Sequence, residues 1–299
     1  MPAYPRRYAP LSSFVAPAQG RTEIWRTLAG LGIACAFYFV AIQLILHGVL
    51  LILGPVRGTF ALSELTHGSS PAGLVELLFS YLPLTGGLAL GLALMMNRGI
   101  GSLIGPWRVA LPTFLWVALP MLALSVVLLP LSVLSADVGR HLTLGQQLPW
   151  LPLALAGLLI QTGTEELLFR GSLQQQLAAR FAAPVIWMGL PALAFGALHY
   201  APGQYGASAW FVVIWAAGFG LATADLTART GNLGAAVGLH FANNAATLLL
   251  VGLYGQMDGL ALFNTVVNLN APFSQVPYLA IDSVTLLVGW LLARLILRV

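Results

Sequence analysis

Apolar runs follow one another almost from end to end of the chain, broken by short polar stretches. A helix that crosses a bilayer needs about 20 predominantly apolar residues. Eight runs are candidates: 27–53, 73–97, 109–134, 149–170 and beyond, 184–200, 209–227, 233–254 and 278–299. The first, about 27 residues, is long enough to cross with tilt and too long for a cleaved signal peptide. The third holds Pro112, Pro120 and Pro130 and is expected to bend; the fifth is short for a span. Region 251–277 mixes Gly255, Asp258, Asn264, Asn268 and Asn270 with apolar residues, and reads as an outside loop with an interfacial helix. The pattern predicts an all-α, polytopic transmembrane helix bundle of about eight helices. A polar segment, 1–26, precedes one membrane domain, 27–299, whose polar groups gather in 149–254.

Composition agrees. Of 299 residues 59% are hydrophobic and 7% charged, against about 25% charged in a soluble domain. All 13 basic residues are arginine, which points to a GC-rich microbe and a bacterial cell membrane. The net charge of +4 is scattered, with no basic tract, so nucleic acid is not an expected partner. Cys35 is the single cysteine, which excludes an intrachain disulfide and a CxxC metal site. With both termini cytoplasmic, inside loops and ends hold Arg6, Arg7, Arg21, Arg26, Arg98, Arg108, Arg170, Arg180, Arg229, Arg294 and Arg298; outside loops hold Arg57 and Arg140. That asymmetry supports cytoplasmic termini and an even span count.

One stretch concentrates charge inside an apolar setting. Gln161-Thr162-Gly163-Thr164-Glu165-Glu166-Leu167-Leu168-Phe169-Arg170 closes the run that begins near Trp150. Ionisable groups inside a membrane segment are costly and mark functional sites. Glu166 and Arg170 are four apart, in the favourable order for a helical ion pair. Glu165 lies roughly 140° around the helix from Arg170, so it is the carboxylate left for chemistry.

The fourth and fifth runs form a hairpin about Ala182-Ala183-Pro184. Glu165 stands as far before position 182 as His199 stands after it, about 25 Å at 1.5 Å per residue. An antiparallel hairpin brings the two to one level. Its tip, 172–180 with Gln174, Gln175 and Gln176, is polar enough to be expected to protrude into the cytoplasm. On the seventh run His240 and Asn244 share a helix face, with Asn243 rotated from it. From an entry near Asn232, His240 lies about 12 Å in. Three helices thus offer polar groups at matched depth.

Such a set suits hydrolysis. A glutamate can take a proton from water while His199 positions that water. His240 and Asn244 can donate to a developing oxyanion. No GxSxG elbow occurs and Cys35 is remote, which disfavours covalent catalysis. Glu165, His199 and His240 also make the glutamate-plus-two-histidine set that catalytic zinc uses, although HExxH is absent and three helices supply the ligands. A metal-free reaction is favoured, with zinc as the alternative.

The three segments resemble the motifs of a known family. Glu165-Glu166-Leu167-Leu168-Phe169-Arg170-Gly171 resembles the EExxxRG motif of the CAAX-protease and bacteriocin-processing family (CPBP, or Abi). Phe195-Gly196-Ala197-Leu198-His199 resembles its FxxxH motif, and His240-Phe241-Ala242-Asn243-Asn244 its HxxxN motif. Each motif alone is weak; the ordered triple is specific, and it covers only Glu165 to Asn244. The resemblance implies an all-helical intramembrane endopeptidase; the hairpin depth and the arginine asymmetry put its active site toward the cytoplasmic side. Glu165 and His199 would activate water, and His240 and Asn244 would bind the oxyanion. Glu166, Arg170 and Phe195 would support the site. The implied partners are the lipid bilayer and a membrane-associated or lipid-modified polypeptide substrate. A non-catalytic bacteriocin-immunity or scaffolding protein of the same family is the alternative. Proton-coupled transport is disfavoured, since no internal repeat is present.

Other features fall outside the motifs. His47, Glu76 and Asp282 are expected to serve packing or the interface. Asp225 and Arg229 are a second i, i+4 pair, expected to cap a helix end. Gly87 and Gly91 are spaced for close helix packing.

Overall fold

Hydrocarbon offers the backbone no hydrogen-bond partner, so apolar runs must close their own bonds as helices. The computed structural model describes residues 4–268, 271 and 273–299, most of them helical. The α-helices are α1 (Leu11–Val15), α2 (Ile24–His67), α3 (Pro71–Phe79), α4 (Leu82–Gly91), α5 (Trp107–Val133), α6 (Leu144–Gln147) and α7 (Leu151–Glu166). They continue with α8 (Gln175–Arg180), α9 (Leu190–Leu198), α10 (Pro202–Tyr205), α11 (Ala209–Thr230), α12 (Gly234–Ala245) and α13 (Val276–Leu297).

Among the described residues five helical stretches are long and apolar enough to cross a membrane: Ile24–His67, Pro71–Met96, Trp107–Val133, Pro202–Thr230 and Val276–Leu297. Eight were expected. The other three are helical but shorter or more polar, and they are the ones that carry the motifs. A helix enclosed by protein needs no apolar surface all round. α12 illustrates this, being buried along most of its length. A Cβ at Gly234 would lie 2.0 Å from the Ala110 carbonyl oxygen, and one at Gly238 2.7 Å from that of Phe114. The glycines therefore let α12 rest directly on the backbone of α5. Gly87 and Gly91 do the same for α4 against Ala34 and Gly30 of α2.

The first run ends where the sequence places it. Gly54 leaves the helical region at φ 74° and ψ 171°, directly before Pro55. Proline disfavours helical backbone in the residue before it, and glycine tolerates the positive φ. The prolines of α5, by contrast, leave it one continuous helix.

Two expectations are corrected. Region 251–277 forms no interfacial helix in its described residues before Val276. It supplies β2 (Val251–Leu253) and β3 (Phe263–Thr265), which join β1 (Val138–Arg140) in a small sheet of order β1-β3-β2. β3 runs antiparallel to β1 and parallel to β2. The polar residues close the loop rather than face an interface. Asp258 accepts from the Gly255 amide at 3.0 Å and from the Asn264 side chain at 2.6 Å. Asn270 lies outside the described residues.

The second correction concerns the hairpin tip. Ser172, Gln174, Gln175 and Gln176 do not protrude; all are buried. The N-terminal segment covers them, with Tyr8, Leu11, Phe14 and Val15 packing on Ala178, Ala179 and Trp187. Carbonyls on neighbouring elements accept from the side-chain amides of Gln174 and Gln175. Gln175 donates to Phe14 at 2.6 Å and Ser102 at 3.0 Å, and Gln174 donates to Ala224 at 2.9 Å. Arg98 donates to the Gln175 carbonyl. Burial pushes the Arg98 guanidinium down to about 10, which leaves it charged at neutral pH. Asp225 also does more than cap. Besides Arg229 Nε at 2.8 Å it accepts from Tyr8 at 2.8 Å and Trp290 at 3.0 Å, tying the N-terminal segment and α13 to α11.

Candidate active site

The site starts where α7 gives way to wider, π-type helical turns over Leu167–Gln174. Such turns recur at functional sites. Arg170 Nη1 donates to Glu166 Oε1 at 2.9 Å, with 1% and 0% of the two side chains exposed. The Phe195 ring stands 4.8 Å from the guanidinium and the Phe169 ring 5.7 Å. A cation this enclosed needs a carboxylate partner, because an unpaired buried charge costs several kcal/mol.

The hairpin turns at residues 181–183, between α8 and the next helical segment. Phe169 and Phe195, equidistant from position 182, meet edge to face with centroids 5.1 Å apart. His199 ends α9 and directs Nδ1 at the Phe195 carbonyl, 2.8 Å away. Its ring lies 4.6 Å from that of Phe195. With Nδ1–H donating there, Nε2 is the free nitrogen. Among the described residues no hydrogen bond or ion pair joins His199 to Glu165.

His240 stands between the two carboxylates. Its Nδ1 is 2.8 Å from Glu166 Oε1, and its Nε2 is 3.5 Å from Glu165 Oε2. Glu166 is therefore not the private partner of Arg170 that helix geometry suggests. A carboxylate oxygen can accept twice, which spacing on one helix cannot reveal. Glu165 keeps 14% side-chain exposure while Glu166 has none, so only Glu165 is open to an incoming molecule.

Asn244 reaches Glu165 by a second route. Its Nδ2 donates to Gln161 Oε1 at 2.9 Å, and Gln161 Nε2 donates to Glu165 Oε1 at 2.7 Å. Asn243 donates to Asn244 Oδ1 at 3.2 Å. The Tyr81 hydroxyl faces Glu165 and Gln161 from the α3–α4 junction. Gln161 and Tyr81 are the site members that sequence reading leaves out. Gln161 carried a signal, standing one helical turn before Glu165; Tyr81 carried none.

Among the described residues no group of three or more His, Cys, Asp or Glu side chains is arranged to hold a metal.

Residues 147–246 match the family described as Type II CAAX prenyl endopeptidase Rce1-like. The similarity to that family covers the segment that carries the site, about a third of the chain. Every site residue above except Tyr81 lies inside the matched segment. A relative, the uncharacterized protein YyaK of Bacillus subtilis (strain 168), is 27% identical over 266 residues, covering 84% of this chain and 87% of the relative. No solved structure matches this chain. The long apolar helices, with the similarity of residues 147–246 to a membrane-protease family, are those of an integral membrane protein.

Proposed function

We propose that the chain is an intramembrane endopeptidase that hydrolyses a peptide bond in a membrane-associated or lipid-modified polypeptide, using side chains alone. Glu165 takes a proton from water, and His199 Nε2 accepts a hydrogen bond from the same water and aims it at the scissile carbonyl. As the C–O bond forms, negative charge collects on the carbonyl oxygen. His240 Nε2–H and the second Asn244 N–H donate to it. Glu165 then passes its proton to the departing amine and the C–N bond breaks. Arg170 lies against Glu166 and offsets its negative charge.

The observation that supports this reading most is the His240 arrangement: one nitrogen held by a fully buried carboxylate, the other 3.5 Å from the partly exposed one. It presents a base and a donor side by side. The test is cleavage of a peptide library by detergent-purified protein beside Glu165→Ala and His199→Ala, with products identified by mass spectrometry. Each variant is expected to lose about 100-fold or more. Cleavage that survives both substitutions would sink the assignment.

A further inference from the structure

We infer that Gln161 is a positioning residue that fixes the Glu165 carboxylate and the sense of the Asn244 amide; the inference rests on the catalytic reading of those two. An ionised carboxylate can only accept hydrogen bonds. Gln161 must therefore turn its NH2 toward Glu165, where the distance is 2.7 Å. Its carbonyl is then left for Asn244, whose amide must present nitrogen at 2.9 Å. The Asn244 carbonyl is turned to Asn243, which donates to it at 3.2 Å. Every donor in the series Asn243, Asn244, Gln161, Glu165 points the same way. Hydrogen bonds in such a chain polarise one another.

The consequence is chemical. Were the Asn244 amide reversed, it would present a carbonyl oxygen to the developing oxyanion and repel it. In the observed sense it presents NH2, with one hydrogen held by Gln161 and the other free. Gln161 itself is buried, so its orientation is set by Glu165, Asn244 and the neighbouring Tyr81 hydroxyl rather than by solvent. The site thus has two arms that converge on Glu165: Glu166 orients His240, and Gln161 orients Asn244. The plainer role for a buried glutamine between α7 and α12 is to hold the helices together, and the test must separate the two.

Gln161→Met keeps length and loses both hydrogen bonds. Gln161→Glu keeps the shape but, ionised, cannot donate to Glu165. Melting temperature in detergent, kcat and KM are measured for both, with Glu165→Gln alongside. Both Gln161 variants are expected to lose about 10- to 100-fold in kcat per folded molecule, with KM within about twofold, the scale of a misplaced catalytic group. A role in packing alone predicts a lower melting temperature with wild-type kcat per folded molecule, and that outcome overturns the inference. Gln161→Glu, being nearly isosteric, keeps the test open if Gln161→Met does not fold. Should Glu165→Gln turn over like wild type, the catalytic reading falls and takes the inference with it. Should Glu165→Gln be inactive while both Gln161 variants keep kcat, the inference alone falls.

Discussion

His240 Nδ1 lies 2.8 Å from Glu166 Oε1, the same oxygen that receives Arg170 Nη1 at 2.9 Å. One buried atom therefore anchors a guanidinium and an imidazole. It ties the stability of the α7 hairpin to the placement of the histidine.

Glu166→Gln is expected to lower both melting temperature and turnover. Removing one partner of a buried ion pair costs about 3–5 kcal/mol, and His240 loses its charged acceptor at the same time. Thermal melting and kcat on the same preparation check this. Normal stability with lost turnover would show that Arg170 does not depend on Glu166.

Arg170→Met leaves Glu166 buried with His240 as its remaining partner and is expected to destabilise by a similar amount. Combining Arg170→Met with Glu166→Gln removes both charges. The double variant is predicted to melt above either single variant, since no unpaired charge remains, while staying inactive. A double variant that melts below both singles contradicts the paired-charge account.

Phe14→Ala tests the N-terminal cover over the hairpin tip. Phe14 is 2% exposed and its carbonyl accepts from Gln175. Truncating a buried phenylalanine costs about 3–5 kcal/mol. Hydrogen exchange is expected to quicken at residues 172–180 before it does in α5. Unchanged protection there would mean that the cover does not hold the tip.

Removing metal is expected to leave turnover unchanged. Dialysis against a strong chelator, with metal content verified, followed by a rate measurement checks this. Activity lost on chelation and restored by zinc would replace the side-chain reaction with a metal one.

Helical periodicity made the Glu166–Arg170 pair and the hairpin register legible, because both follow from fixed rise and rotation per residue. It read the glutamines of 174–176 wrongly, since side-chain polarity does not say whether a neighbouring carbonyl will satisfy it. The sheet at 251–265 was hidden because its strands are only three residues long and pair across distant parts of the chain. His240 between two carboxylates was equally hidden: its partners lie more than seventy positions away, on another helix. Hydropathy separated lipid-facing helices from loops, but it did not distinguish a helix in lipid from one enclosed by its neighbours.

The most direct measurement is the turnover of Glu165→Gln against wild type, in one detergent, on one cleavable peptide, with matched melting temperatures. The substitution keeps shape and removes only the ability to take a proton. A fall of about 100- to 10,000-fold in kcat is predicted, the range that a general base supplies. A rate within tenfold of wild type would contradict the assignment of Glu165 as the base.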